Sequence, residues 1–303
     1  MLVRLLRVWQ GLRVLGFQMR GRMIWVMGMF LKVVKNLKFE FLILVMTIKF
    51  GPAGLGPVNE AVGNLEEMHK FGLKACEISF TYSAYIKEEE APAIRAAAER
   101  LEIQLSIHGS YFINLNSDDA GKLAMSKKRL LSCCRIGEAL GARYVVFHPG
   151  FYGNGTREEA YFKIRDSVKE IMVEIKRNGW KIQIAAETMG KVNVFGSIEE
   201  IKRLVKDTGC SFCLDFAHLW ARSLGKMSYE EMVSEFDEFD SWHCHFSGIV
   251  FGEKGERKHR LTSDLELKGL LGVLPADKDI TIINESPDPM GDSVRGLGVW
   301  ERI

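Results

Sequence analysis

The chain has 303 residues, with 41 Lys and Arg against 39 Asp and Glu and a 47% hydrophobic content, the balance of a globular protein with a substantial core. With 29 Gly, 7 Pro, 18 Phe and no low-complexity tract, collagen-like, mucin-like and disordered classes are excluded. The net charge of +2 is uneven: residues 1–45 carry eight basic side chains and one acid, which leaves the remainder at −5, without the broad basic composition that advertises nucleic-acid binding.

Residues 1–45 are rich in Met, Val, Leu, Arg and Trp. The charge-free stretches Met23–Leu31 and Phe41–Ile48 fall far short of the ~20 residues that span a bilayer, and no clear secretory-signal pattern is present. One reading is a basic arm for a membrane surface or nucleic acid. The other is an extension, disordered or not native, with a natural start at Met46. The second is favoured because an ordered strand-and-loop pattern begins directly after Met46. One domain is expected over residues 46–303.

From Thr47 onward, short apolar strands alternate with amphipathic helices. Strands are expected at Thr47–Phe50, Ala75–Ser79, Ile103–Ile107, Tyr144–Phe147, Ile182–Ala186, Ser211–Leu214, Trp242–Phe246 and Asp279–Asn284. Helices are expected at Glu60–Phe71, Glu90–Leu101, Asp118–Leu140, Arg157–Asn178, Ile198–Asp207, Ser228–Phe236 and Asp264–Leu271, with a weak, glycine-interrupted one after Asp292. Ile164, Val168, Ile171, Met172 and Ile175 follow the spacing of one helical face, and Ser228 reads as an N-cap. Eight strands alternating with seven or eight helices imply a parallel sheet. In this length they fit an α/β fold of the (β/α)8 TIM-barrel type, with a doubly wound open sheet as the rival. The turn Gly51-Pro-Ala-Gly-Leu-Gly56 lacks the GxGxxG order, and no GK[ST] follows, so a nucleotide loop is set aside.

The six cysteines, Cys76, Cys133, Cys134, Cys210, Cys213 and Cys244, lie mostly within apolar runs. They read as buried thiols of a cytoplasmic protein rather than a disulfide framework. Cys210-Ser-Phe-Cys213 has CxxC spacing, but there is no second CxxC, and strand geometry would turn the two thiols away from a shared site.

The informative pattern is where the histidines fall. Six of seven lie at the C-terminal end of an expected strand or in the loop beyond it, the end that carries the active site in a barrel. His108, His148, Glu187, Asp215, His243 and His245, and Glu285 end successive strands; His218, Glu256 and His259 lie in the following loops. His69, on a helix, is read as structural or solvent-exposed. Clustered carboxylates repel unless cations compensate. Imidazole with carboxylate and no thiolate suits Zn2+, Mn2+ or Fe2+, and nine or so candidate ligands are too many for one ion. Two or three metals suggest phosphodiester hydrolysis.

The stretches Ser106-Ile-His-Gly-Ser-Tyr-Phe-Ile-Asn-Leu115, Phe147-His-Pro-Gly150, Glu187-Thr-Met-Gly190, Cys213-Leu-Asp-Phe-Ala-His218, His243-Cys-His-Phe-Ser-Gly248, Gly255-Glu-Arg-Lys-His259 and Asn284-Glu-Ser-Pro287 resemble the endonuclease IV family of apurinic/apyrimidinic (AP) endonucleases. The likeness spans about Thr47 to Pro289. It implies a (β/α)8 barrel with three Zn2+ ions that cuts the phosphodiester 5′ to an abasic site in double-stranded DNA, leaving a 3′-hydroxyl, in base-excision repair. By motif, His108, His148 and Glu187 would hold the first ion. Glu187 would bridge to a second, completed by Asp215, His243 and Glu285, with His245 as a competitor for His243. His218, Glu256 and His259 would hold the third. Glu187, Asp215 and Glu285 would be catalytic, and Tyr111 and Phe112 would wedge into the duplex.

Two departures stand out. Glu256 and His259 are three apart, where many members have an Asp and a His two apart. The loop Phe80–Lys87 lacks an arginine often used on the DNA side, for which Tyr82, Tyr85 or Lys87 would substitute. Three Zn2+ would bring the body from −5 to about +1 at the place where phosphate would sit. A sugar isomerase or epimerase of the same superfamily, using fewer metal ligands, is the alternative, and a catalytically silent barrel that binds DNA or a partner is the third reading. A monomer with no membrane association is expected.

Overall fold

The computed structural model describes residues 48–303; Thr47 and the expected N-terminal extension lie outside the described residues. Eight parallel strands lie in one sheet: β1 (Lys49–Pro52), β2 (Ala75–Ser79), β3 (Gln104–His108), β4 (Tyr144–Phe147), β5 (Gln183–Glu187), β6 (Ser211–Asp215), β7 (Ser241–Phe246) and β10 (Asp279–Asn284). Their order is β1-β10-β7-β6-β5-β4-β3-β2. The two edge strands meet where the Gly54 N–H donates to the Glu77 carbonyl at 2.7 Å and the Lys74 N–H to the Phe50 carbonyl at 3.0 Å. Gly51 makes that seam possible, since a Cβ there would lie 1.9 Å from the Ala75 carbonyl oxygen. The result is a nearly closed TIM barrel, with the expected strand sequence and the helices between.

The helices follow the strands: α1 (Ala61–Lys70), α2 (Ala91–Leu101), α3 (Ala120–Leu140), α4 (Arg157–Arg177), α5 (Ile198–Thr208), α6 (Phe216–Arg222), α7 (Tyr229–Ser234), α8 (Asp264–Leu271) and α9 (Pro289–Trp300). Four of them, α4, α5, α7 and α8, start in capping boxes in which Thr156, Ser197, Ser228 and Ser263 exchange hydrogen bonds with Glu159, Glu200, Glu231 and Glu266. The glycines of α9 do not interrupt it. Gly296 lets the helix lie on the barrel, because a Cβ there would approach the Phe50 ring to 3.1 Å. Apolar residues of strands and helices form the large outer core. Inside the barrel a small layer of Tyr144, Val146, Ala185 and Cys213 packs separately. Cys210 belongs to the outer core and Cys213 to the inner layer, so the CxxC spacing brings no paired thiols together; all six cysteines are free and buried.

Two features depart from expectation. The segment after β7 is a hairpin of β8 (Gly248–Gly252) and β9 (Gly255–Arg260) rather than a loop. Its turn needs Gly255 at φ +89°, pressed against the Gly190 carbonyl, where a Cβ would sit 2.1 Å away. The second is α6, which begins directly after β6 with Asp215 as its N-cap. Among the described residues no helix is long and apolar enough to cross a membrane.

Candidate metal centre

The carboxyl ends of the strands converge on one cavity of about 410 Å³, lined by His108, His148, His218, Glu256, His259 and Glu285 among others. Three groups of ligand atoms, each within 4.8 Å of one another, can be drawn around it: His108, His148 and Glu187; Glu187, Asp215, His245 and Glu285; His218, Glu256 and His259; His108, His245 and Glu285 make a fourth combination, and Cys213, His243 and His245 a fifth. Glu187 is fully buried and belongs to two of them. Its Oε2 lies 3.3 Å from His108 Nε2 and 2.9 Å from His148 Nε2. Its Oε1 lies 3.1 Å from His218 Nδ1 and 3.3 Å from His245 Nδ1. One carboxylate thus faces two histidine sets, the geometry of a bridging ligand.

Several ring nitrogens are also tied to backbone or hydroxyl groups beside the cluster. His108 Nδ1 is 2.9 Å from the Gly109 carbonyl and His218 Nδ1 is 3.0 Å from that of Thr188. A carbonyl only accepts, so these nitrogens carry a proton, which leaves Nε2 as the nitrogen that a cation would take in place of its proton. His259 Nδ1 meets the Ser247 hydroxyl at 2.6 Å. This is the outer-layer tethering that fixes the tautomer of metal-binding imidazoles. Asp215 is arranged in the same way. Its Oδ1 accepts from the His218 N–H at 2.7 Å, while Oδ2 is buried without a hydrogen-bond partner among the described residues, its charged neighbour being His218 Nδ1 at 3.2 Å. A buried carboxylate oxygen without a donor is costly. A divalent cation beside it removes that cost, so the residues present fit a metal centre, and the absence of thiolate from the three groups suits Zn2+, Mn2+ or Fe2+.

Charge points the same way. Burial would raise Glu187, but the His148 and His245 charges and bonds from His108 and His148 hold its carboxyl well below the usual range. Burial works against protonation of His108, yet the bond to Glu187 and its charge lift the imidazole to about 9. His218, against the same opposition from burial, is raised to about 10 by Asp215, Glu187 and Glu256. Burial, followed by the charges of Glu187 and Glu285, pushes Asp215 up to about 7 despite His218. The metal-free cluster therefore holds protons that cations would replace.

The two strand-seven histidines have different surroundings. Pairing of β6 with β7 sets Asp215 beside His245 and Cys213 beside His243. Both rings point into the barrel, but His243 lies one layer below the cavity. Its Nε2 bonds Glu77 Oε2 at 2.8 Å, and the group it belongs to is that of Cys213 and His245, without a carboxylate. His245, the competitor, joins Glu187, Asp215 and Glu285. His218 faces Glu256, Nε2 to Oε2 at 3.4 Å, so the three-residue spacing of Glu256 and His259 reaches the site from the hairpin.

At the rim, Tyr111 and Phe112 are 58% and 55% exposed. The Tyr111 ring lies 5.5 Å from those of His108 and His148. Phe112 pairs with Tyr82, ring centroids 5.9 Å apart, and the Arg129 guanidinium lies over the Phe112 ring, 5.6 Å from its centroid. Tyr85 is placed differently from the expectation: its ring packs edge-on against Phe80 and its hydroxyl donates to the Gly56 carbonyl, holding the loop rather than the rim. Lys87 is exposed ahead of α2, its N–H bonded to Glu90.

Glu77 was not singled out from the sequence. It is fully buried in the middle of β2, where it accepts from Ser106 Oγ at 2.8 Å. The signal was a lone carboxylate inside the apolar run Ala75–Ser79, where only an inward-facing partner set can make its burial tolerable.

A barrel with clustered imidazoles and carboxylates at its carboxyl end defines a (β/α)8 protein whose residues could hold metal ions. Residues 65–300 match the family described as xylose isomerase-like TIM barrel, and the chain belongs to that family. It is 29% identical over 254 residues to an uncharacterized protein of Methanocaldococcus jannaschii, covering 78% of this chain and 91% of that one. It is 31% identical over 204 residues to the apurinic-apyrimidinic endonuclease of Caenorhabditis elegans, covering 61% of this chain and half of that longer protein. Among solved structures it is similar to endonuclease IV from Thermus thermophilus, with TM-score 0.64, 21% identity and coverage of 84% and 99%. It is also similar to a D-tagatose 3-epimerase-like protein, with TM-score 0.65, 18% identity and coverage of 84% and 96%.

Proposed function

We propose that this protein is a zinc-dependent AP endonuclease that hydrolyses the phosphodiester 5′ to an abasic site in duplex DNA, leaving a 3′-hydroxyl and a 5′-deoxyribose phosphate. The observation that carries the reading is the third ligand group, His218, Glu256 and His259, set beside the Glu187-bridged pair. A single-metal isomerase needs fewer ligands. The curated relative named as an apurinic-apyrimidinic endonuclease supports the same reading.

Divalent metals in such a centre acidify water and neutralise the charge that builds on phosphodiester oxygens. The chain's own residues do the rest. Glu187 holds two groups at a fixed spacing through its two oxygens. Asp215, clamped by the α6 amide, presents Oδ2 without a competing donor. Glu285, about one-sixth exposed, sits at the open side of the cavity, where substrate enters. Tyr82, Tyr111 and Phe112 offer aromatic faces at the rim for an unstacked duplex.

The test is incision of a duplex carrying one abasic site by zinc-loaded protein, beside Glu285→Ala and an undamaged duplex. A nick 5′ to the lesion with an extendable 3′-hydroxyl, absent in the variant, is the expected result. No incision by protein shown to hold its metals defeats the reading. The second reading, a divalent-metal sugar isomerase or epimerase, rests on the four-ligand group Glu187, Asp215, His245 and Glu285, which is sufficient for one ion. Turnover of ketoses with one metal per chain would favour it.

A further inference from the structure

The layer beneath the cavity contains a carboxylate that the chemistry above does not use. Glu77 Oε2 accepts from Ser106 Oγ at 2.8 Å and from His243 Nε2 at 2.8 Å. That oxygen is satisfied twice. Oε1 has no such donor among the described residues. Its near neighbour is His245 Nε2 at 2.8 Å, a close charge contact rather than a well-angled hydrogen bond. The other nitrogen of the same ring, Nδ1, hydrogen-bonds Glu187 Oε1 at 3.3 Å in the metal-free protein, a bond that an ion at Nδ1 would replace, and lies 3.5 Å from Glu285 Oε2. Glu77, His243 and His245 are all buried.

We propose that Glu77 is a positioning residue: its Oε1 keeps the His245 proton on Nε2, so that Nδ1 presents a lone pair to the ion shared by Glu187, Asp215 and Glu285. His243 and Ser106 occupy Oε2 and so fix which oxygen faces His245. This assigns roles to both histidines of the His243-Cys-His245 stretch, one as ligand and one as the brace of the ligand's partner. The chemical reason is general: a carboxylate behind an imidazole sets its tautomer and raises its basicity, and loss of such a partner costs roughly 10–100-fold in metal affinity. The proposal rests on the metal-centre reading and is independent of the substrate.

The experiment is Zn2+ titration of the stripped full-length chain against a chromogenic chelator, with Co2+ absorption as a second readout. It compares the unaltered protein with Glu77→Gln, Glu77→Asp and His245→Ala, together with the melting temperature of each metal-free protein. Glu77→Gln is expected to weaken one ion by roughly 10–100-fold and to shift the Co2+ spectrum. The ion of His218, Glu256 and His259 stays bound, while the metal-free protein melts lower at neutral pH, because Glu77 loses the charge that faces His243 and His245. Glu77→Asp, which keeps the charge but withdraws it from His245, is expected to weaken the same ion and covers the case in which the amide variant fails to fold. His245→Ala removes that ion, and adding Glu77→Gln to it causes no further loss. If Glu77→Gln and Glu77→Asp bind every ion as the unaltered chain does, or lose stability without losing metal, Glu77 is a core residue only and the proposal is overturned. If the unaltered chain binds no Zn2+ at all, the metal-centre reading itself fails, which is a separate result.

Discussion

The backbone N–H of His218 donates to Oδ1 of Asp215 at 2.7 Å, so the last residue of β6 is also the cap of α6. Structure and chemistry share one carboxylate, one oxygen each. Asp215→Asn keeps a capping acceptor but removes the charge facing the cluster. It is expected to lose metal while the metal-free protein unfolds at the same denaturant concentration, within about 0.5 kcal/mol. Asp215→Ala is expected to lose both metal and about 1 kcal/mol of stability. Metal analysis and urea unfolding of stripped protein separate the two effects.

Metal removal makes stability depend on pH in a definite direction. In the metal-free chain His108 is raised from 6.5 to about 9, His218 from 6.5 to about 10 and Asp215 from 3.8 to about 7. Each raised group stabilises the fold fully below its unfolded value, and that contribution is lost as pH rises through its folded value. Glu187 and Glu77 are held low, so their contribution is lost on acidification. Stripped protein is therefore expected to be most stable at mildly acidic pH and to weaken between 7 and 10. Metal-loaded protein is expected to lack that alkaline loss, because cations replace the protons. Thermal melts from pH 5 to 10, with and without chelator, read this directly.

The β8–β9 hairpin carries Glu256 and His259, and it docks on the β5 loop through Gly255. Gly255→Ala combines a left-handed φ of +89° with a 2.1 Å approach to the Gly190 carbonyl. It is expected to cost about 1–2 kcal/mol and to release one ion. Glu256→Gln with His259→Ala is expected to release the same ion without the backbone cost. Metal stoichiometry by elemental analysis, one ion below the unaltered chain in both cases, is the check.

Tyr82 and Phe112 pair at the rim without touching the ligand groups. Phe112→Ala and Tyr82→Ala are each expected to weaken binding of abasic duplex by about 1–3 kcal/mol, with metal content unchanged. Fluorescence anisotropy against abasic and intact duplex tests this. Equal binding by variant and unaltered chain would remove these rings from the substrate surface.

Much of the fold was legible because its signals are local. Apolar runs of four to six residues, helical periodicity and capping serines declare themselves within a few positions, and the strand sequence and most helices followed from them. The hairpin after β7 was missed because Gly255-Glu-Arg-Lys-His-Arg260 has no apolar alternation. It pairs through its backbone, and its side chains serve the site. α6 was missed because it begins without a loop, directly on the residue that ends β6.

By itself the sequence determined that imidazoles and carboxylates stand at successive strand ends, since strand order and residue type are fixed along the chain. Which of His243 and His245 joins Glu187, Asp215 and Glu285 was decided by the tertiary structure. Residues two apart on a strand point the same way, and only the β6–β7 register, with Asp215 beside His245, sets their depth in the barrel. The partnership of Glu77 with both rings came the same way. It joins β2 to β7, 166 residues apart at the His243 contact, and strands that far apart in sequence meet only when the barrel closes around its interior.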